Sequence, residues 1–135
     1  MTYVFGCIKE INTMRLYGMT VKSDIDRDIY AVRFIGRVRD IKKEAIKTVI
    51  RISDSSDEIE AMVYSKVSPT IERMINNIGV GDMVIVFAHL EPKNKICYVD
   101  IIRKIDNKEE ICFLAGLFLT YFRYIFHKEA SKEHL

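Results

Sequence analysis

An all-β domain with helices, built on a small five-stranded barrel, is what this sequence predicts, and three observations predict it. Apolar and polar residues alternate over three successive runs between Val32 and Tyr64, the period of half-buried strands. A helix signal and two more strand-like runs follow, so the order is strand, strand, strand, helix, strand, strand. Gly36 lies inside the first run. A glycine there marks a bend or a close backbone approach, which a small barrel needs in order to close.

A chain of 135 residues is long enough for one domain with a real core. Its 49% hydrophobic and 30% charged residues suit an ordinary soluble globular protein. The formal net charge is only +2, so any case for nucleic acid rests on where the charges lie. Cys7, Cys97 and Cys112 are odd in number, far apart and set among apolar neighbours. They read as reduced, partly buried thiols of an intracellular protein. No basic region precedes an apolar run at the N-terminus, so a secretory signal is not expected.

Residues 1–28 read as a leader: Thr2 to Val21 as one or two short strands or irregular chain, then a charged connector, KSDIDRD. The barrel domain is expected over 29–106. Its first strand points Val32, Phe34, Gly36 and Val38 inward and Arg33, Ile35, Arg37 and Arg39 outward. A charged turn, Lys42 to Glu44, leads to a second strand with Ile46, Thr48, Ile50 and Ile52 inward and Lys47, Val49, Arg51 and Ser53 outward. Asp54 to Asp57 (DSSD) is a turn, because Asp and Ser side chains bond their own backbone, and its carboxylates read as solvated. In the third strand Ile59, Ala61 and Val63 oppose Glu60, Met62 and Tyr64.

Ser68-Pro69 opens a helix as N-cap and first helical residue. Ile71, Met74, Ile75 and Ile78 recur at helical spacing, and Gly79 is expected to supply a left-handed stop. Met83 to Leu90 and Ile96 to Ile105 are the last two strands, joined by a tight EPKNK turn. This order matches a five-stranded Greek-key OB barrel with a helix between strands 3 and 4. An SH3-like arrangement has the same parts. A ferredoxin-like order needs a helix after the first strand, for which Lys42 to Glu44 is too short.

A C-terminal α-helix is expected over 108–128. Ile111, Leu114, Ala115, Phe118, Phe122 and Ile125 share one face, and Phe113, Leu117, Tyr121 and Tyr124 cover much of the rest. A helix apolar nearly all round must be buried on several sides. Its apolar run carries Arg123 and falls short of the roughly 20 residues a span needs, so no membrane is expected. Association with helices of other chains is preferred over packing on its own barrel. The interface would use Ile111, Leu114, Ala115, Phe118, Tyr121, Phe122 and Ile125. Each buried Leu or Phe contributes roughly 1.5–3 kcal/mol.

His89, His127 and His134 are too scattered for a metal site, and no phosphate loop, nucleophile elbow or dinucleotide fingerprint is present. Neither an enzyme nor a cofactor is expected. The basic face says more. Positions 33, 37, 39, 42, 43, 47 and 51 are basic, against acidic Asp40 and Glu44. A solvated strand face is the bland reading, but in an OB barrel that face and its loops form the oligonucleotide groove. Tyr64 ends the third strand outward, where a stacking residue is worth about 1–3 kcal/mol per base. Tyr30 and Phe87 are weaker candidates. The candidate single-strand-binding residues are Arg33, Arg37, Arg39, Lys47, Arg51, Tyr64 and Lys66, with Lys93 and Lys95 of the last turn.

VRFIGRVRDI, TVIRISDSSDEIEAMVYSK and GDMVIVFAHLEPKNK together resemble the middle subunit of replication protein A, in motif order and spacing from about residue 29 to 125. A Stn1-type telomere subunit shares the same barrel. The resemblance implies a nuclear, heterotrimeric single-stranded DNA binder of replication, repair and recombination. It also implies large and small OB-fold partner subunits, held in a bundle by their terminal helices. The family's stacking tryptophan falls on Tyr64. Its second aromatic falls near Pro92-Lys93 and is missing, which implies a weaker grip or one carried more by charge. The family's phosphorylated leader and winged-helix domain have no counterpart, so regulation or recruitment through them is not implied.

Overall fold

The structure, a computed structural model, describes residues 3–17, 30–64, 68–91 and 94–119. Its elements are β1 (Val4–Phe5), α1 (Ile8–Tyr17), β2 (Tyr30–Lys43), β3 (Lys47–Ser53), β4 (Glu58–Tyr64), α2 (Pro69–Asn76), β5 (Met83–Glu91) and β6 (Ile96–Lys104). Residues 107–119 form a further helix, α3. Met1–Ile105 is one compact unit and Asp106–Leu135 a second.

Five strands pair in a circuit of the OB type. β2 runs antiparallel to β3 and to β5, β3 to β4, and β5 to β6, while β4 meets β6 in parallel. β2 serves two neighbours because it is long. Its first half pairs with β5 and its second with β3, across a bulge between Val38 and Asp40. Gly36 lies at the change-over, and a Cβ there would stand 2.5 Å from Ile52 Cγ2 and 2.9 Å from the Ser53 carbonyl. The glycine is required by close approach.

The expected alternation holds through the core. Val32, Phe34, Val38, Ile50, Ile52, Ile59, Ala61, Val84, Val86, Ala88 and Leu90 are all buried together. Two residues depart from it: β3 starts one residue later, so Ile46 sits 67% exposed in the turn, and Ile35, expected to face outward, is buried at 6% exposure outside the main core cluster. Ser68 caps α2 as expected, its Oγ accepting from the Thr70 N–H at 3.2 Å. The helix stop differs. Asn77 closes α2 in right-handed geometry, and Gly81, not Gly79, takes the left-handed backbone, at φ 95°. Its N–H donates to the Val38 carbonyl at 2.8 Å, tying the turn to the β2 bulge.

The leader expectation is corrected. Val4–Phe5 forms a short parallel strand beside Val32–Arg33, and Ile8–Tyr17 is helical. Ile8 and Ile11, one helical turn apart, are fully buried in the core. The Asp54–Asp57 turn holds this helix in place, so it is not merely solvated. Asp54 Oδ2 accepts from the Ile8 N–H at 2.9 Å, and Ser56 Oγ from the Lys9 N–H at 3.1 Å. These are first-turn donors with no partner inside the helix. Asn12 Nδ2 donates to Asp57 Oδ2 and to the Glu58 carbonyl. The Asn12 amide, then the Glu58 N–H, hold the Asp57 carboxyl below the usual carboxylate range.

In the second unit, Ile111, Leu114 and Phe118 are 67%, 48% and 68% exposed, and Ala115 is exposed with them. Tyr121, Phe122 and Ile125 lie outside the described residues. No described helix is long and apolar enough to cross a membrane. Of the three thiols Cys97 is buried, Cys7 intermediate and Cys112 exposed, so Cys112 departs from the expected partial burial.

Candidate nucleic-acid interface

The outward positions of β4, β6 and β5 carry a row of rings. Strand register sets it up: Met62 lies opposite Tyr98, which lies opposite His89. Tyr64, two residues beyond Met62, projects from the same face of β4. Tyr64 and Tyr98 stand 5.9 Å apart at 31°, and Tyr98 stacks on His89 at 5.1 Å and 21°. Pairs at these separations contribute about 0.5–1.5 kcal/mol beyond their buried area.

Asp100 fixes the far end of the row. The β5–β6 register slips between Phe87 and Ala88, leaving Asp100 as the extra residue of a bulge. Its Oδ1 meets His89 Nδ1 at 2.8 Å, and its Oδ2 accepts from the Tyr3 hydroxyl at 3.2 Å. Tyr3 in turn packs edge-on against Phe87, centroids 5.2 Å apart. Burial first, and then Glu91 and Tyr64, push the Tyr98 phenol above its usual range. Tyr64, 41% exposed, is the accessible member.

The arginines are placed differently. Arg33 lies over the Phe5 ring, brought there by the β1 pairing. Partial burial lowers its pKa, and its Nε is buried without a hydrogen-bond partner among the described residues. It is packing against the N-terminal strand, not standing open as part of a charged face. Arg37 donates to the Gly81 carbonyl at 2.7 Å, and Arg39 to Ser53 Oγ at 2.6 Å. Arg51 pairs with Glu58 at 2.6 Å and faces Glu60 and Asp40 across the ladder.

The lysines sit at the two ends of the face. Lys47, directly opposite Tyr64, has Glu44 at 4.0 Å. Lys95, in the left-handed region at φ 57°, turns the β5–β6 hairpin. Its carbonyl accepts from Arg15 Nη1 at 3.0 Å, so α1 braces this turn too. The Lys95 ammonium has no partner among the described residues. Lys66 and Lys93 fall outside the described residues, as does the Tyr30 side chain.

The expected site thus divides. Tyr64 and Lys47 come together, Lys95 lies toward the opposite end, and Arg33, Arg37, Arg39 and Arg51 are engaged locally. Sequence reasoning missed Tyr98 and His89. Their period-2 outward positions were legible, but their juxtaposition with Tyr64 depends on which strands pair. Among the described residues no group of His, Cys, Asp and Glu is placed to hold a metal ion.

On a structure of yeast RPA bound to ssDNA the chain superposes with a TM-score of 0.64, at 21% identity over 89% of each chain. The fold is of the OB type. The S. pombe Stn1–Ten1 complex gives a TM-score of 0.61 at 13% identity, over 78% of each chain. A replication protein A heterotrimer bound to ssDNA gives 0.50 at 18% identity. That likeness covers 62% of this chain and 63% of the other, just under two thirds of its length. No family model and no curated protein sequence matches the chain.

Proposed function

We propose that this chain is a non-enzymatic, single-stranded-DNA-binding OB subunit of a replication protein A-like heterotrimer. The middle-subunit role in replication, repair and recombination, and with it a nuclear location, belongs to this proposal. The observation that carries it is the aromatic row on the outward face, with accessible Tyr64 at one end and Lys47 beside it. A base stacks on Tyr64; Tyr98, clamped between Tyr64 and the Asp100-bound His89, holds that ring in place. Lys47 and Lys95, with Lys66 and Lys93, take the phosphates. Fluorescence titration with oligo-dT tests this reading. Affinity should fall as salt rises, with a slope near −0.7 per phosphate contact. An absence of binding at low salt would refute it.

A second reading is favoured by the engaged arginines: an assembly subunit with little DNA contact, held to large and small OB partners by α3. The exposed Ile111, Leu114 and Phe118 support the helix-mediated association in either case. Truncation after Asp106 should abolish co-purification of partner chains and leave a folded first unit. The likeness to Stn1–Ten1 keeps a telomere-capping role as the variant of the same proposal, to be recognised by a preference for telomeric repeats over random single strands.

A further inference from the structure

Two local costs to stability meet where α1 reaches the β5–β6 turn. Lys95 takes the left-handed backbone at φ 57°, alone among the described non-glycine residues, in a conformation that glycine adopts freely and a side chain resists. Arg15, near the end of α1, has its Nε buried without a hydrogen-bond partner among the described residues. Buried polar groups are ordinarily paired, and backbone held in a disfavoured region gathers where a ligand is met.

The other two nitrogens of Arg15 join these features. Nη1 donates to the Lys95 carbonyl at 3.0 Å and Nη2 to Asn12 Oδ1 at 3.1 Å. Asn12 is buried, and its Nδ2 donates to Asp57 Oδ2 at 3.0 Å and to the Glu58 carbonyl at 2.8 Å. With both amide hydrogens used, the amide cannot turn over without losing them, so its oxygen stays presented to Arg15. One line of hydrogen bonds therefore runs from the β3–β4 turn, through α1, to the β5–β6 turn. It fixes the Lys95 carbonyl, and with it the peptide plane from which the Lys95 side chain departs. The side chain itself is exposed, and its ammonium has no partner among the described residues.

We infer that Arg15 is a positioning residue for single-strand binding: it braces the β5–β6 turn so that Lys95 meets a phosphate, without itself touching DNA. The inference rests on the single-strand-binding reading above and adds to it a contribution from α1, which lies outside the strand face. A lysine is a point charge on a flexible four-carbon stem, so where its charge stands depends on a fixed starting point. The planar fork of Arg15 supplies that point, because it holds the Lys95 carbonyl and the Asn12 oxygen at once.

The test is an oligo-dT titration of the full chain over a series of salt concentrations, with urea unfolding of each variant alongside. Lys95→Asn removes the ammonium and keeps a residue that tolerates the left-handed backbone. It should lower affinity and reduce the salt slope by about 0.7, the worth of one phosphate contact. Arg15→Lys keeps the positive charge but loses the fork. It should lower affinity and slope in the same direction, and the double variant should bind no more weakly than Lys95→Asn alone. A purely structural Arg15 would shift the unfolding midpoint and leave the slope as in wild type. That result, beside a reduced slope in Lys95→Asn, would overturn the brace and leave the groove standing. Losses that add in the double variant would overturn it as well, since Arg15 would then act on its own. A wild-type slope in Lys95→Asn would remove Lys95 from the groove and the inference with it. Failure of the wild type to bind would remove both readings together.

Discussion

The outward face of the sheet has two halves that differ in what their side chains are doing. On β2 and β3, Arg37, Arg39 and Arg51 are each engaged by a neighbour: a carbonyl, a hydroxyl and a carboxylate. On β4, β6 and β5, Tyr64, Tyr98 and His89 lean on one another and leave Tyr64 open. Of the three arginines, only Arg51 meets a countercharge among the described residues; the guanidinium groups of Arg37 and Arg39 are held by neutral oxygens that a ligand would have to compete with. A line of rings drawn from three strands is the surface on which the proposed function rests.

Substitutions can break or sharpen this contrast. Tyr64→Ala should have the largest effect, a loss of about 1–3 kcal/mol in single-strand affinity by the usual worth of one stacked base, read by oligo-dT titration. Tyr98→Ala should cost about 0.5–1.5 kcal/mol although its ring need not touch DNA, because Tyr64 loses its support. If Tyr98→Ala bound as wild type does, the row would be only packing.

The other half should answer to stability measurements. Asp54→Ala removes a side-chain acceptor from the first turn of α1 and should destabilise the first unit by about 1 kcal/mol, measured by urea unfolding, with DNA affinity preserved. Asp57 adds a pH signature. Its pKa is depressed in the folded chain, so its contribution is present above the ordinary carboxylate range and is lost as pH falls through the depressed value. The protection of α1 amides relative to their intrinsic exchange rates should therefore fall on acidification before that of the strands. Thiol labelling gives a smaller check. Burial pushes Cys97 up to about 12, so a thiol reagent at pH 8 should leave it unmodified in the native chain while exposed Cys112 reacts.

Much of the fold was legible because a strand buried on one face writes its period into the chain. Val32–Phe34, Ile50–Ile52 and Ile59–Ala61–Val63 did so, and Ser68-Pro69 announced α2 by local capping chemistry. The helix α1 was not legible. Its two buried isoleucines lie among Lys9, Glu10 and Thr13, and its cap comes from Asp54 and Ser56, 46 and 47 residues away in sequence. The site was half legible for the same reason. Tyr64 ends a strand with clear alternation, but the contact of Tyr98 with both Tyr64 and His89 exists only once β6 lies between β4 and β5. The neighbours of the arginines were not legible either, because nothing local in the sequence reveals that Arg33 lies over Phe5 or that Glu58 reaches Arg51.

The most direct test sets the two halves side by side in one oligo-dT titration over a series of salt concentrations. Tyr64→Ala should lower affinity at every salt and leave the salt slope unchanged. The double variant Arg39→Ala/Arg51→Ala should keep the wild-type affinity and shift the slope by less than the 0.7 or so of a single phosphate contact. The reverse pattern, with Tyr64→Ala silent and the arginine pair costing affinity and slope together, would contradict the account.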